Sequence, residues 1–402
     1  MKNMTETKSS PETDSGRQSS PVVLFANGKS GSNRAKKYLK LHSDSLNLKT
    51  NLGKVELTIA DLQNPEDREK GIQEIKSLLE TFQKFKVVVA GGDGSLIWVI
   101  EELLKHQLDI SLIEFGILPF GTGNDLAAML GWGRKPPKKL IGKNLSHLVK
   151  YAESWLQAEA KPLDIWQISI EVEETGHFEK ITAENGHYKR EHFKFESDSD
   201  LKVYSRLMTN YFSVGLDARI GVGFDKRRTT SKIFNRMIYC WEGFKKIFCL
   251  PNTRVPEITS TFYEDSSCIF NNSSTDKRLP EKTSVFLALN SRTYAGGDNF
   301  IWDAASPGEG ENTWQEQSPR DGKLEFVIFK GEFDLGLEQI IAGRAQKLLQ
   351  SQGPFTLNFN ELPENRRVYM QIDGEYFYAV KPKRIVINLS EISEKVQVLV
   401  KD

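Results

Sequence analysis

The chain has 402 residues, 39% of them hydrophobic and 27% charged, an ordinary globular composition long enough for two domains. Lysine plus arginine equals aspartate plus glutamate at 54 each, so no net field draws the chain to nucleic acid or to an anionic membrane. Three cysteines (Cys240, Cys249, Cys268) without CxxC spacing exclude a disulfide scaffold and a zinc module of that type, and their scarcity fits a reducing cytosol.

Residues 1–20 hold eight serines and threonines and no apolar stretch, so they read as a disordered tail rather than a signal peptide. Met1-Lys2 excludes myristoylation and Lys401-Asp402 excludes prenylation. No apolar run approaches the roughly 18 residues of a spanning helix, and a soluble cytoplasmic chain is expected. Strand and helix then alternate over residues 21–160. Val22 to Phe25 is a first strand, and residues 33–41 follow as a helix. Val55 to Ile59 is a second strand. Asn64-Pro65 makes a cap and first turn, with Ile72, Ile75, Leu78, Leu79 and Phe82 at helical spacing behind it. Val87 to Ala90 is apolar throughout, as a strand buried on both faces should be. Leu96, Val99, Leu103 and Leu104 form the next helical stripe, Ile117-Leu118 ends a fourth strand, and residues 124–130 start a fourth helix. This βαβα order predicts an α/β domain on a parallel sheet, with ligands beyond the carboxyl ends of its strands.

Residues 161–402 change to short β-rich segments, at 165–172, 211–214, 284–289, 324–329, 356–359, 368–372, 384–389 and 396–400. They predict a second, mostly antiparallel, sandwich-like domain. Residues 171–200, charge-rich and holding His177, His187 and His192, and residues 264–282, rich in serine and asparagine, read as surface insertions. The histidine spacings of ten and five carry little metal-site geometry, and a solvated loop is expected there.

Three glycine-rich elements follow three of the first domain's strands. Gly91-Gly92-Asp93-Gly94-Ser95 opens a helix, where glycines admit phosphate close to backbone N–H groups and the helix dipole favours an anion. Asp93 in such a loop needs a task, as a proton acceptor, as a Mg²⁺ partner, or simply as an N-cap. Gly121-Thr122-Gly123-Asn124-Asp125 is placed similarly: Thr122 offers phosphate a hydroxyl, and Asn124 or Asp125 can cap the helix or orient a metal-bound water. Asn27-Gly28-Lys29-Ser30-Gly31 follows the first strand. Its Gly-Lys-Ser is not a Walker A loop, because Val23 stands where the first glycine belongs. Leu126 likewise breaks a GxGxxG pattern, which removes the dinucleotide reading. Three loops converging on one crevice predict a nucleoside triphosphate. Two acidic turns come later, at Asp321-Gly322 and at Asp373-Gly374-Glu375, where alternation puts Asp373 and Glu375 on one face.

In order and spacing, Gly91–Ser95, Gly121–Asp125 and Gln371–Glu375 resemble the eukaryotic-type diacylglycerol kinases of the diacylglycerol and sphingosine lipid kinase superfamily. The resemblance covers residues 21–389, including Asn210–Ala218, Ala295-Gly296-Gly297 and Gln339–Ala345. GTGND and QIDGE distinguish it from phosphofructokinases and NAD kinases, which share GGDG. It implies a catalytic plus an accessory domain, glycine loops holding ATP, and transfer of the γ-phosphate to the hydroxyl of diacylglycerol to give phosphatidic acid. It further implies Glu375 or Asp373 as proton acceptor and Asp321 beside a structural Mg²⁺. Gly28 stands where proline is usual and Ser95 where threonine is usual, and the Cys/His-rich lipid-sensing modules of many animal members are missing. A sphingoid or other lipid alcohol as substrate, or a non-catalytic regulator, are the alternatives; retention of Asp93, Asp125, Asp373 and Glu375 speaks against the regulator.

A lipid substrate requires peripheral membrane contact. Ile233, Phe234, Met237, Ile238, Trp241, Phe244, Ile247 and Phe248 form a helical stripe with a basic flank of Arg227, Arg228, Lys232, Arg236, Lys245 and Lys246. It reads either as a helix packed on the second domain or as a docking element spanning residues 227–248. Arg134-Lys135 with Lys138-Lys139 reads as a solvated basic loop, with contact to anionic lipid as the alternative.

Overall fold

A computed structural model of the protein describes residues 19–30, 33–41, 45–184, 187–193, 202–227, 229, 232–249, 252–297, 299–308, 313–338 and 341–401. The expected tail up to residue 18, Gly31, Arg228 and parts of the 171–200 stretch lie outside these residues, as do the side chains of His187, Lys232, Ile233, Arg236 and Phe248.

Two sheets organise an α/β chain. The first takes strands β1 (Ser20–Ala26), β2 (Leu46–Thr50), β3 (Gly53–Asp61), β4 (Phe85–Gly91), β5 (Ile113–Pro119) and β6 (Glu159–Pro162). Helices α1 (Lys36–Leu39), α2 (Pro65–Thr81), α3 (Asp93–Lys105), α4 (Asp125–Met129) and α5 (Ser146–Gln157) accompany them. β3, β1, β4 and β5 lie parallel and side by side. The uninterrupted apolar runs of β1 and β4 follow from burial on both faces. Val23, Phe25, Val87 and Val89 meet Ile72, Ile75, Leu96 and Val99 of α2 and α3, while Val22, Leu24 and Val88 meet Tyr38, Leu148 and Trp155 of α1 and α5. α2 begins as its cap residues dictate, with Asn64 Oδ1 accepting from the N–H groups of Glu66 at 2.9 Å and Asp67 at 3.2 Å.

The second sheet is built from β7 (Trp166–Glu184), β8 (His187–His192), β9 (Lys202–Met208), β10 (Tyr211–Gly215), β11 (Thr259–Glu264), β12 (Ser267–Asn271), β13 (Val285–Leu289), β14 (Leu324–Phe329), β15 (Ala345–Ser351), β16 (Phe355–Phe359), β17 (Arg367–Ile372) and β18 (Glu375–Leu389). Its twelve strands run β12-β11-β16-β18-β17-β10-β13-β14-β15, with β7 joining β18 to β8 and β9. The sheet doubles back, so that Phe262 of β11 meets Phe326 of β14 at 4.9 Å between rings, over a core of phenylalanine, isoleucine and valine.

β19 (Gln397–Val400) departs from the expected division. The sequence places residues 396–400 in the second domain; instead β19 enters the first sheet, parallel to β5 and antiparallel to β6. Close packing fixes it there, Leu399 Cδ1 filling the space above Gly116 and the Leu399 carbonyl accepting Trp132 Nε1–H at 2.7 Å. Nor are the two polar stretches simply loops. Residues 264–282 contain β12 and bury Phe270 and Leu279, and residues 171–200 contain most of the β7–β8 hairpin, with Phe178 and Ile181 buried. Their polar composition comes from the alternate residues that face water.

Helix α6 (Leu216–Asp225) packs beside α7 (Lys232–Phe244), which runs on into a wider turn at Lys245–Cys249. The aromatic stripe of α7 divides. Tyr239 packs on Phe224 of α6, with Ile238 and Ile247 half-buried, but Phe234, Met237, Trp241 and Phe244 are 61, 61, 55 and 50% exposed. Among the described residues no helix is long and apolar enough to cross a membrane.

Candidate active site

The three glycine loops leave the carboxyl ends of β1, β4 and β5, which parallel pairing sets along one edge. Two of them touch back to back. A Cβ on Gly121 would lie 2.6 Å from Gly92 Cα, which excludes a side chain there, and one on Gly92 would lie 3.1 Å from Gly121 Cα, which leaves little room. Gly94 is different: nothing lies within 4 Å of where its Cβ would stand, so the start of α3 faces open space. The first loop is tied in by Asn27, which donates from Nδ2 to Ser95 Oγ at 3.0 Å and accepts from Gln63 Nε2 and Lys29 N–H at 3.1 Å each.

Asp93 does not cap its own helix. Gly92 occupies that position, and Asp93 Oδ2 reaches across to accept the Leu126 N–H at the start of α4 (3.1 Å) and Asn210 Nδ2 at the start of β10 (3.2 Å). Oδ1 is buried and has no hydrogen-bond partner. Burial, with the nearby charges of Asp125 and Asp373 adding to it, pushes the Asp93 carboxyl up to about 7. Asn124 Oδ1 and Asn210 Oδ1 are likewise buried without partners. Asn124 adopts left-handed backbone (φ 55°) and ties the second loop shut through Nδ2 to the carbonyls of Gly121 and Arg134.

Asp125 is spoken for. It accepts from Arg134 Nη1, Thr293 Oγ1 (3.0 Å), the Gly296 N–H (3.1 Å) and the Tyr211 hydroxyl (3.3 Å). It thereby clasps α4 to loops of the second sheet. Arg134, read from the sequence as part of a solvated basic loop, turns inward and also donates to the Gly297 carbonyl at 2.7 Å. Burial of Asp125 requires a cation beside it, and Arg134 is within reach nine residues on.

The opposite wall carries Asp373 and Glu375 in the β17–β18 turn, and the two carboxylates do different things. Asp373, at φ 49°, accepts the N–H groups of Thr209, Asn210 and Tyr211 (2.8, 2.8 and 3.0 Å) and the Thr209 hydroxyl (3.0 Å). It fixes the strand start that presents Asn210. Burial pushes its carboxyl up, and the hydrogen bonds oppose this. Glu375 is half-exposed, with Lys180 Nζ at 2.9 Å and Arg206 Nη2 at 3.7 Å. Desolvation acts to raise its pKa, but these two cations outweigh it and hold the carboxyl below its ordinary range. Behind this turn, Gln371 Nε2 and the Tyr294 hydroxyl both donate to buried Asp217, joining β17, α6 and the residue 294–297 loop.

Asp321 is joined to Asp164 rather than to Asp125: the Gly322 N–H donates to Asp164 Oδ2 at 2.8 Å, and the Asp164 N–H to the Pro319 carbonyl at 2.8 Å. Sequence reasoning missed Asp164, although a carboxylate between Leu163 and Ile165 in an apolar run is a usable signal. It also missed Arg134, Thr293, Lys180 and Arg206, which have no local motif, and gave Asn210 and Tyr211 no role.

The glycine loops on a parallel α/β sheet fit the nucleotide-binding class, and family comparison narrows it. The chain matches the model of the diacylglycerol kinase catalytic domain over residues 21–167 and that of the diacylglycerol kinase accessory domain over residues 207–376. It belongs to the diacylglycerol kinase family. It is similar to diacylglycerol kinase 2 of Arabidopsis thaliana, 25% identical over 363 residues, which cover 89% of this chain and 43% of that protein. Human diacylglycerol kinase iota is 24% identical over 383 residues, covering 94% of this chain and 31% of the relative. Diacylglycerol kinase eta of Mesocricetus auratus reaches 35% identity over 149 residues, 37% of this chain and 11% of the relative. The chain thus spans less than half the length of these relatives.

Proposed function

We propose that the chain is an ATP- and Mg²⁺-dependent lipid kinase that phosphorylates the free hydroxyl of diacylglycerol, giving phosphatidic acid. One observation carries this: in a chain matching both diacylglycerol kinase domains, three glycine loops meet a buried carboxylate whose Oδ1 has no partner. In this reading residues 21–160 with β19 bind the nucleotide, and residues 161–396 serve the lipid.

Phosphoryl transfer needs positioning, charge neutralisation and one proton acceptor. Backbone N–H groups of Gly91–Gly94 and Gly121–Gly123, with the Thr122 hydroxyl, cradle the phosphates, and Asn27, Ser30 and Ser95 flank them. Mg²⁺ would be held by the buried, unpartnered Oδ1 of Asp93, with the unpartnered Oδ1 atoms of Asn124 and Asn210 as further candidate donors, since oxygen donors suit a hard cation. When bound it neutralises phosphate charge. Asp125, a metal partner by its place in the glycine loop, instead clasps α4 to the loops of the second sheet. The Asp321–Asp164 pair is a second, structural Mg²⁺ site. Glu375, half-exposed and held ionised by Lys180 and Arg206, accepts the lipid hydroxyl proton, and Asp373 positions the turn.

Peripheral membrane contact is assigned to α7. Its exposed Phe234, Met237, Trp241 and Phe244 lie beside a cavity of about 250 Å³ lined by Arg219, Lys226, Arg227, Lys245 and Lys246 around Glu242. The helix Glu332–Glu338 abuts Ile247 and adds exposed Phe333 and Leu337. Trp241→Ser with Phe244→Ser should cut activity on anionic vesicles several-fold, spare activity on short-chain dispersed diacylglycerol, and leave the melting temperature unchanged, since both rings are exposed. Equal loss on both substrates would remove the docking role.

The function itself is tested by incubating labelled ATP and Mg²⁺ with vesicles carrying one lipid alcohol each. Label in phosphatidic acid is expected. Label only in a sphingoid phosphate, or in no lipid at all, overturns the reading.

A further inference from the structure

Away from the cleft, the β7–β8 hairpin gathers three side chains of another chemistry. His177 and Glu179 stand two residues apart on β7 and so share a face, and His192 of β8 lies directly opposite Glu179 in the ladder. The register explains why the sequence spacing was uninformative: pairing around the turn brings residue 192 to residue 179, and places His187 opposite Glu184, at the other end.

The geometry is that of a ligand set without its ion. Glu179 Oε1 lies 3.5 Å from His177 Nε2 and 3.7 Å from His192 Nε2, the imidazole centroids are 5.4 Å apart, and the three ligand atoms all fall within 4.8 Å of one another. Both nitrogen–oxygen distances are too long for good hydrogen bonds. Bonds of about 2.0–2.1 Å to a tetrahedral metal place ligand atoms about 3.3 Å apart, which rotation of the two partly exposed rings can reach. Glu179 is only 8% exposed, and its Oε2 is buried with no hydrogen-bond partner. A buried carboxylate in this position costs stability unless something positive sits on it.

We infer that His177, Glu179 and His192 form a binding site for a Zn²⁺-class divalent cation, with three protein ligands and a fourth position open to solvent. Two imidazoles and a carboxylate select zinc and its neighbours over magnesium, so the site is chemically separate from the all-oxygen set at Asp93. The ion would pin β8 to β7. It would do so on the face of β7 opposite Lys180, the residue that holds Glu375.

The test uses tag-free full-length chain, stripped with a chelator and desalted, in a Cys240→Ser, Cys249→Ser background so that exposed thiols do not contribute. Zn²⁺ is titrated by calorimetry and Co²⁺ by its visible spectrum. One equivalent is expected, with an intense tetrahedral Co²⁺ band and a rise in melting temperature on Zn²⁺ addition. His177→Ala with His192→Ala should lose that equivalent, the band and the thermal rise while keeping the circular dichroism of the parent, because both rings are at the surface. Glu179→Gln should weaken binding at unchanged fold. The proposal is overturned if the folded parent takes up no Zn²⁺, or if the double variant binds it as well as the parent. Neither outcome depends on kinase activity.

Discussion

Asp93 and Glu375 are carboxylates on opposite walls of one cleft, and they differ in every physical respect. Asp93 sits on the glycine-loop wall, buried, raised to about 7 and with one oxygen unpartnered. Glu375 sits on the strand wall, half-exposed, lowered, with a cation at each oxygen. A buried carboxylate without compensation is costly in the free protein and is satisfied only by an arriving cation or proton. One held ionised at the surface has lone pairs free to receive a proton, although the cations that keep it ionised also weaken it as a base. In the proposed reading, the contrast divides the chemistry into a wall that binds charge and a wall that accepts a proton.

The division can be broken in order of expected effect. Gly94→Asp should abolish turnover without unfolding the chain, because the new side chain enters open space at the helix start, where phosphate is proposed to sit. Normal turnover in this variant removes the phosphate site. Asp93→Asn should lower kcat by about 10³-fold, yet leave the melting temperature unchanged or higher, since an unpaired buried charge is removed. A large fall in melting temperature would make Asp93 a structural residue. Glu375→Gln should lower kcat by about 10²-fold or more with the KM for ATP unchanged. Asp373→Ala sharpens the contrast inside one turn: stranding three backbone N–H groups should cost about 3 kcal/mol, read as a fall in melting temperature. If Asp373→Ala instead keeps its stability and loses only kcat, the acceptor role moves to Asp373.

The smallest effect concerns Glu325, fully buried between Gln317 and Gln350 and pushed up to about 8 by burial, with the charge of Asp321 adding to the rise. The folded chain keeps a proton here that the unfolded chain releases above about 4.5. Stability from this group is therefore present at low pH and lost as pH rises through that window to about 8. Glu325→Gln should melt a few degrees above the parent near pH 9 and lose that advantage near pH 5. An advantage independent of pH would show that Glu325 does not titrate there.

Much of this was legible in the sequence, for identifiable reasons. β1, β4 and β5 announced themselves because burial on both faces leaves apolar runs at residues 22–26, 87–90 and 117–118, and α2 because Asn64-Pro65 fixes its start. The glycine loops were legible because close backbone approach leaves a local trace. β2, β8 and β9 were not, since strands with water-facing residues read as polar loops. Asp125 was found but not its clasp, because Arg134, Thr293 and Gly296 meet it only once the chain has folded. The α7 stripe showed its amphipathic shape, but its sequence holds nothing to say which half packs on α6 and which stays bare.

The placement of β19 bears on how the molecule comes into being. β6 reaches the first sheet only through β19, and the Lys401 N–H closes onto the Leu130 carbonyl at 2.9 Å. A nascent chain that has released residue 167 therefore holds most of the nucleotide side but lacks the strand that completes it, and must wait while more than two hundred further residues are synthesised. Throughout that interval the edge of β5 stands open, an invitation to pair with a neighbouring chain. A fragment cut at the limits of the matched catalytic domain inherits the same open edge permanently, and should be recovered as aggregate unless residues 397–401 are supplied as a separate peptide or grafted after residue 162.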